Sequence, residues 1–194
     1  MNLKNLITCF ILILITSCSS TKSVNLDLKE RSNTEIVNKL TESKVDFDAQ
    51  DLATLKDLKT WATYSKSKKI VVPEVHFYNK NGFKVSQKFS DSQSSQLIRN
   101  FDKMDEYPVN ENEKMTDVLN DFTFASDPES TSNYDFYIII NWALLTQNNH
   151  ETAFNWYTSA KNIKDKKVKV VLLNLDLNES WNITNKQKEI LKLK

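Results

Sequence analysis

One glycine, Gly82, occurs in 194 residues. Phosphate-cradling loops of the Walker or dinucleotide type need several closely spaced glycines, so both are excluded. Cysteine is nearly as scarce: the chain holds Cys9 and Cys18 and no other. Charge of one sign is missing too. Lysine and arginine total 26 against 25 aspartates and glutamates. Such a balance gives no strong field to draw in nucleic acid and no polybasic patch for anionic lipid. The longest apolar run, Leu6 to Thr16, falls well short of the roughly 20 residues that a membrane-spanning helix requires.

That run suits a different purpose. With Lys4 before it, it has the length of a signal-peptide core, about 7–15 residues. Ile15-Thr16-Ser17-Cys18 follows. An aliphatic residue, two small residues and a cysteine resemble the lipobox of bacterial lipoproteins. The resemblance implies lipidation of the Cys18 sulfur, cleavage before Cys18 and acylation of the new amino terminus. The alternative is an ordinary secreted protein cut near Ser17 or Ser20. Lipid chains contribute about 0.8 kcal/mol per buried methylene, so a multiply acylated cysteine holds the membrane stably. The expected division is a leader over residues 1–17, a lipidated tether over 18–31 and one domain over 32–194. The expected location is the envelope of a Gram-negative bacterium, on the outer membrane and facing the periplasm. With Cys9 removed and Cys18 lipidated, no thiolate remains for disulfide chemistry.

Forty per cent of the chain is hydrophobic and ten per cent aromatic, which excludes a disordered polymer. Ser32 to Glu35 fits a capping box ahead of Ile36, Val37 and Leu40. Leu52, Leu55, Leu58 and Ala62, beside Trp61, read as a second helix capped by Asp48 or Asp51. At Ile70 the texture turns to β. Residues 72–78 and 83–89 read as strands joined at Asn81-Gly82, a strong hairpin signal. Ser90 to Ser92 offer caps for a helix with the stripe Leu97, Ile98, Phe101 and Met104. Asn110 to Glu113 read as the start of another, carrying Met115, Val118, Leu119 and Phe122. Phe136 to Trp142 is a near-continuous apolar run, as in a strand buried on both faces. Residues 147–164 read as a helix and 168–175 as a strand. Strand, helix and strand form a βαβ unit, so the two strands should run parallel. Ile190, Leu191 and Leu193 suggest a closing helix.

The βαβ unit resembles the centre of thioredoxin, where one strand ends in Phe-Trp-Ala and the next in Asn-x-Asp. Here the two places read Ile140-Asn141-Trp142-Ala143 and Asn174-Leu175-Asp176. By that count the redox cysteines fall at Thr146 and Asn149, and neither is a cysteine. A strand opened by a cis-proline, a hairpin partner and a helix resemble thioredoxin's later half, here Val72-Pro73 through Met104. That half precedes the Trp-Ala half, so the resemblance implies a circular permutation. The implied fold is α/β: a thioredoxin-like mixed four-stranded sheet, flanked by helices and preceded by a helical extension. Its implied strand order is 168–175, 136–142, 72–78, 83–89.

Few residues suggest chemistry. Thr146 lacks an evident base and reads as a helix cap, with His150 close by in sequence. Glu74 and His76 share one strand face, but two ligands fall short of a metal site. Asp46, Asp48 and Asp51 lack the glycine and final glutamate of a calcium loop and read as acids at a helix start. No catalytic residue, metal or cofactor is called for. Two functions remain open. One is a non-catalytic module binding an unknown protein or peptide beside Pro73 and Thr146, with no nucleic-acid partner. The other is an envelope enzyme of non-thiol type using His76 or His150 with carboxylates.

Overall fold

The computed structural model of the chain describes residues 28–128, 134–146 and 150–193. The leader, Cys18 and Asn149 lie outside the described residues. Nine strands are described: β1 (Glu30–Arg31), β2 (Leu52–Leu55), β3 (Glu74–Tyr78), β4 (Phe83–Val85), β5 (Val109–Lys114), β6 (Phe122–Phe124), β7 (Phe136–Trp142), β8 (Val168–Asn174) and β9 (Leu177–Asn178). The α-helices are α1 (Asn33–Glu42), α2 (Leu58–Lys66), α3 (Asp91–Arg99), α4 (Met115–Leu119), α5 (His150–Lys161) and α6 (Asn185–Leu191).

Seven strands form one mixed sheet in the order β5-β4-β3-β7-β8-β2-β6, and β1 pairs separately with β9. β7 is central, and all seven of its residues are buried. Its side chains alternate between two cores. Ile138, Ile140 and Trp142 pack with α1, α3 and α5 on one face; Tyr137 and Ile139 pack with α2 and α4 on the other. β7 and β8 run parallel from Phe136↔Val168 to Trp142↔Asn174, with α5 crossing between them. β3 lies antiparallel on β7, from Glu74↔Asn141 to Tyr78↔Tyr137. The four strands expected from sequence therefore stand side by side in the expected order, but inside a sheet of seven.

Several boundaries differ from the sequence reading. Leu52–Leu55 is strand, not helix: it runs parallel to β8, with Ala53 opposite Leu173. A short continuous apolar run does not reveal its own period, and sheet pairing decides here. Asp57, rather than Asp48 or Asp51, caps α2 by accepting from the Thr60 N–H at 2.7 Å. Residues 109–114 form an edge strand on β4 rather than a helix start, its charged residues suiting an edge. β4 ends at Val85 and does not reach Phe89. The Ser86 N–H goes to the Pro108 carbonyl, and Phe89 turns inward against Phe77 and Tyr107. Glu30 and Arg31, read as tether, pair with Leu177 and Asn178.

Local chemistry explains the other ends. Ser32 caps α1 as expected, but Glu35 turns back to Arg31 and Lys29 instead of completing a capping box. Gly82 sits at φ 75° in the Asn79–Gly82 turn, a conformation open to glycine at no steric cost. The Val72–Pro73 peptide bond is cis.

Candidate functional sites

The chain leaves β7 at Trp142 and is caught at once. Both oxygens of Asp176 accept backbone N–H bonds from this loop, from Leu144 at 2.7 Å and Leu145 at 2.9 Å. Asn174 donates its amide to Asp176 at 2.9 Å and accepts the Asp176 N–H at 3.1 Å. The Trp142 carbonyl accepts from the Leu175 N–H. The Trp142-Ala143 and Asn174-x-Asp176 motifs thus interlock across the ends of two parallel strands. Burial raises the Asp176 carboxyl above its usual range, against the N–H bonds, the Asn174 amide and the nearby Arg31 charge.

Beyond the lock the loop leaves polar atoms unsatisfied. Thr146 is buried and its hydroxyl has no partner, so its side chain does not cap α5 as the sequence reading held. Trp142 Nε1 and His150 Nδ1 are also buried without partners. Burial lowers the His150 pKa, the Lys39 charge lowers it further and Glu151 opposes both. Thr146 and His150 line a cavity of about 630 Å3 whose far wall is α1, with Glu35, Asn38 and Lys39.

A second cleft, also about 630 Å3, surrounds β3 and includes Pro73. The two cavities share no lining residue. Pro73 lines the cleft at β3 and Thr146 the cavity at α1, while the pairing of Glu74 with Asn141 sets Pro73 beside the end of β7 from which the Thr146 loop leaves. The cleft exists because the sheet splits. The ladder between β3 and β4 consists of one pair, Tyr78↔Lys84, and the two strands then part. Lining residues come from both sheet faces, Phe77 and Trp156 on one and Tyr78 and Ile139 on the other. The Asn79 N–H bonds to the Phe83 carbonyl on the β4 side. Backbone groups alternate along a strand, so Val75 turns its N–H and C=O the same way. No strand lies opposite Val75 there.

Three polar side chains stand on the floor of this cleft. Glu74 and His76 lie on one face of β3, with His76 Nε2 3.3 Å from Glu74 Oε2. They are half-buried rather than exposed on the strand surface. Asn141, across the ladder from Glu74, places its amide nitrogen 3.4 Å from His76 Nε2. Its Oδ1 is buried without a partner. Burial works to raise the Glu74 carboxyl. The His76 hydrogen bond and charge, with Lys88 and Lys84, outweigh it and hold the carboxyl below the usual range. Asn141 was legible only as part of the Trp-Ala stretch; the signal for a site was a polar residue inside an otherwise apolar central strand.

The aspartate cluster has another use. Asp51 is buried and takes Lys161 at 2.8 Å, Lys169 at 3.2 Å and the Tyr157 hydroxyl at 3.0 Å. It ties the start of β2 to α5 and β8, and it is not an acid at a helix start. Trp61, Trp142 and Trp156 are core residues, and Trp181 is partly buried.

Among the described residues no three His, Cys, Asp or Glu side chains gather at one point. No helix among them is long and apolar enough to cross a membrane. In comparisons with protein families, curated proteins and solved structures, nothing matches this chain.

Proposed function

We propose that this chain is a lipid-anchored, thiol-free, thioredoxin-like module of the bacterial envelope that holds an extended protein or peptide segment against β3. The observation that carries the reading is the split sheet. Val75 offers an N–H and a C=O to a cleft with no strand opposite, and an extended chain laid there gains backbone hydrogen bonds by strand addition. The thioredoxin likeness draws support from the order β8-β7-β3-β4 and from the Asp176 lock beneath Trp142-Ala143. In this reading the helical half follows the hairpin half, and β2, β5 and β6 widen the sheet. The anchor rests on the lipobox at Cys18. Eleven residues lie between Cys18 and Glu30, so the tether spans at most about 40 Å. The domain therefore works close to the membrane, which in this reading is the outer membrane facing the periplasm.

A library of extended peptides panned against the detergent-extracted lipoprotein tests the docking edge. Binders should slow amide exchange at Val75. Binders that protect the Thr146 loop instead, or none at all, would contradict it. Cys18→Ser, expected to move the protein out of the membrane fraction or block its processing, tests the anchor separately.

A second reading, a non-thiol envelope enzyme, is favoured by one observation. The Glu74–His76 pair sits in a cleft of about 630 Å3. His150 has no carboxylate within ion-pair distance among the described residues, which leaves His76 as the histidine of that reading.

A further inference from the structure

Glu74, His76 and Asn141 bring a carboxylate, an imidazole and an amide together around one ring nitrogen in the cleft. His76 Nε2 faces Glu74 Oε2 at 3.3 Å and the Asn141 amide nitrogen at 3.4 Å. One ring nitrogen either donates a proton or accepts one. It does not donate to the carboxylate and accept from the amide together. The amide of Asn141 is also turned so that its oxygen is buried with no partner, although the residue is 3 % exposed. An asparagine's oxygen and nitrogen exchange places by a half-turn of the amide. That half-turn brings Oδ1 to His76 Nε2, and an unprotonated Nε2 then has two further lone-pair donors beside it, Glu74 Oε2 and Asn141 Oδ1.

The two spacings to Nε2 have a meaning in coordination chemistry. Around a tetrahedral divalent ion with bonds of about 2.1 Å, adjacent donor atoms stand about 3.4 Å apart. We propose that Glu74, His76 and Asn141 form a binding site for a divalent transition-metal ion. One carboxylate, one imidazole and one amide oxygen make a mixed set without thiolate, which suits Zn2+ or Mn2+. Three protein ligands leave a position open to the cleft, as in sites that take a water or a ligand rather than purely structural ones. The two nearest cations do not close the site to another. Lys84 is paired with Glu113 at 3.0 Å, and Lys88 is exposed, where salt screens it. The pairing of β3 with β7 sets the arrangement: Glu74 is opposite Asn141 and His76 follows on the same face. The inference does not rest on the peptide-docking reading, since metal is measured without any peptide.

The chain is well suited to the test. Residues 28–193 contain no cysteine, and His76 and His150 are the only histidines. Calorimetric titration of the untagged, detergent-extracted lipoprotein with ZnCl2 and with MnCl2 should give one saturable site per chain. His76→Gln, a milder change than His76→Ala, should weaken binding at least tenfold in a chain with unchanged circular dichroism. His150→Ala should leave it unchanged. Asn141→Asp should tighten it about tenfold, because a charged oxygen replaces a neutral one at the same place. The Co2+-loaded protein should show tetrahedral visible bands that His76→Gln abolishes. Absence of saturable binding, binding insensitive to His76→Gln, or loss with His150→Ala would overturn the proposal. Weaker binding in a folded Asn141→Asp chain would remove Asn141 as a ligand and overturn the three-donor site.

Discussion

Asp51 shows how much a single buried charge organises. It is 3 % exposed and Lys169, one of its partners, is 4 % exposed. Its carboxylate touches two ammonium groups and the Tyr157 hydroxyl. Burial and the two aspartates beside it push the Tyr157 phenol above its ordinary range, with the Asp48 N–H opposing. Removing Asp51 strands the buried Lys169 charge and leaves Lys161 with Asp48 at 4.0 Å as its nearest remaining acid. Breaking one partner of a buried ion pair costs about 3–5 kcal/mol. Asp51→Ala should therefore lower the urea midpoint by a shift of that size, with Asp51→Asn intermediate; a loss below about 1 kcal/mol would mean that the lysines find water. The sequence hid this role. Its spacing with Asp46 and Asp48 suggested a loop or a helix start, while the residues that matter, Lys161 and Lys169, lie more than a hundred positions away.

Elements were legible where the pattern was local. The Asn81-Gly82 hairpin turn, the apolar run of β7, the Ser32 and Ser90 helix caps and the strand of β8 all follow from neighbours in sequence. Elements decided by distant pairing were not. Leu52–Leu55 carries helical spacing but is drawn into the sheet by β8, and Val109–Lys114 looks like a helix start but pairs with β4. The part of β4 lost beyond Val85 mattered most for the site, because its departure opens the cleft. The loop after β7 depends on a distant residue too, since Asp176 satisfies two of its N–H groups. Leaving buried donors unpaired costs about 1–3 kcal/mol each. Asp176→Ala should destabilise the domain by about 3 kcal/mol and speed amide exchange at Leu144 and Leu145 before Ile138–Ile140. Unchanged exchange at those two amides would show that the lock does not hold the loop.

At the scale of the molecule, the helices cover both sheet faces and β1 with α1 closes the end where β7 and β8 terminate. The cavity at Thr146 is thereby walled by α1, while the cleft at β3 is lined from both faces of the sheet. Sequence reasoning found Pro73, Thr146, Glu74 and His76. The split between β3 and β4, which opens the cleft, has no signature in local residue pattern. If the membrane-tethered module docks an extended segment at β3, the contact should be visible in the living envelope. A photo-crosslinking residue at Gln87, exposed on the rim of the cleft, should yield a discrete adduct in the membrane fraction. The same residue at Thr123, exposed on the opposite edge strand β6, should yield none. An adduct from Gln87 alone is the predicted result; adducts from Thr123 alone, from both positions alike, or from neither would contradict the account.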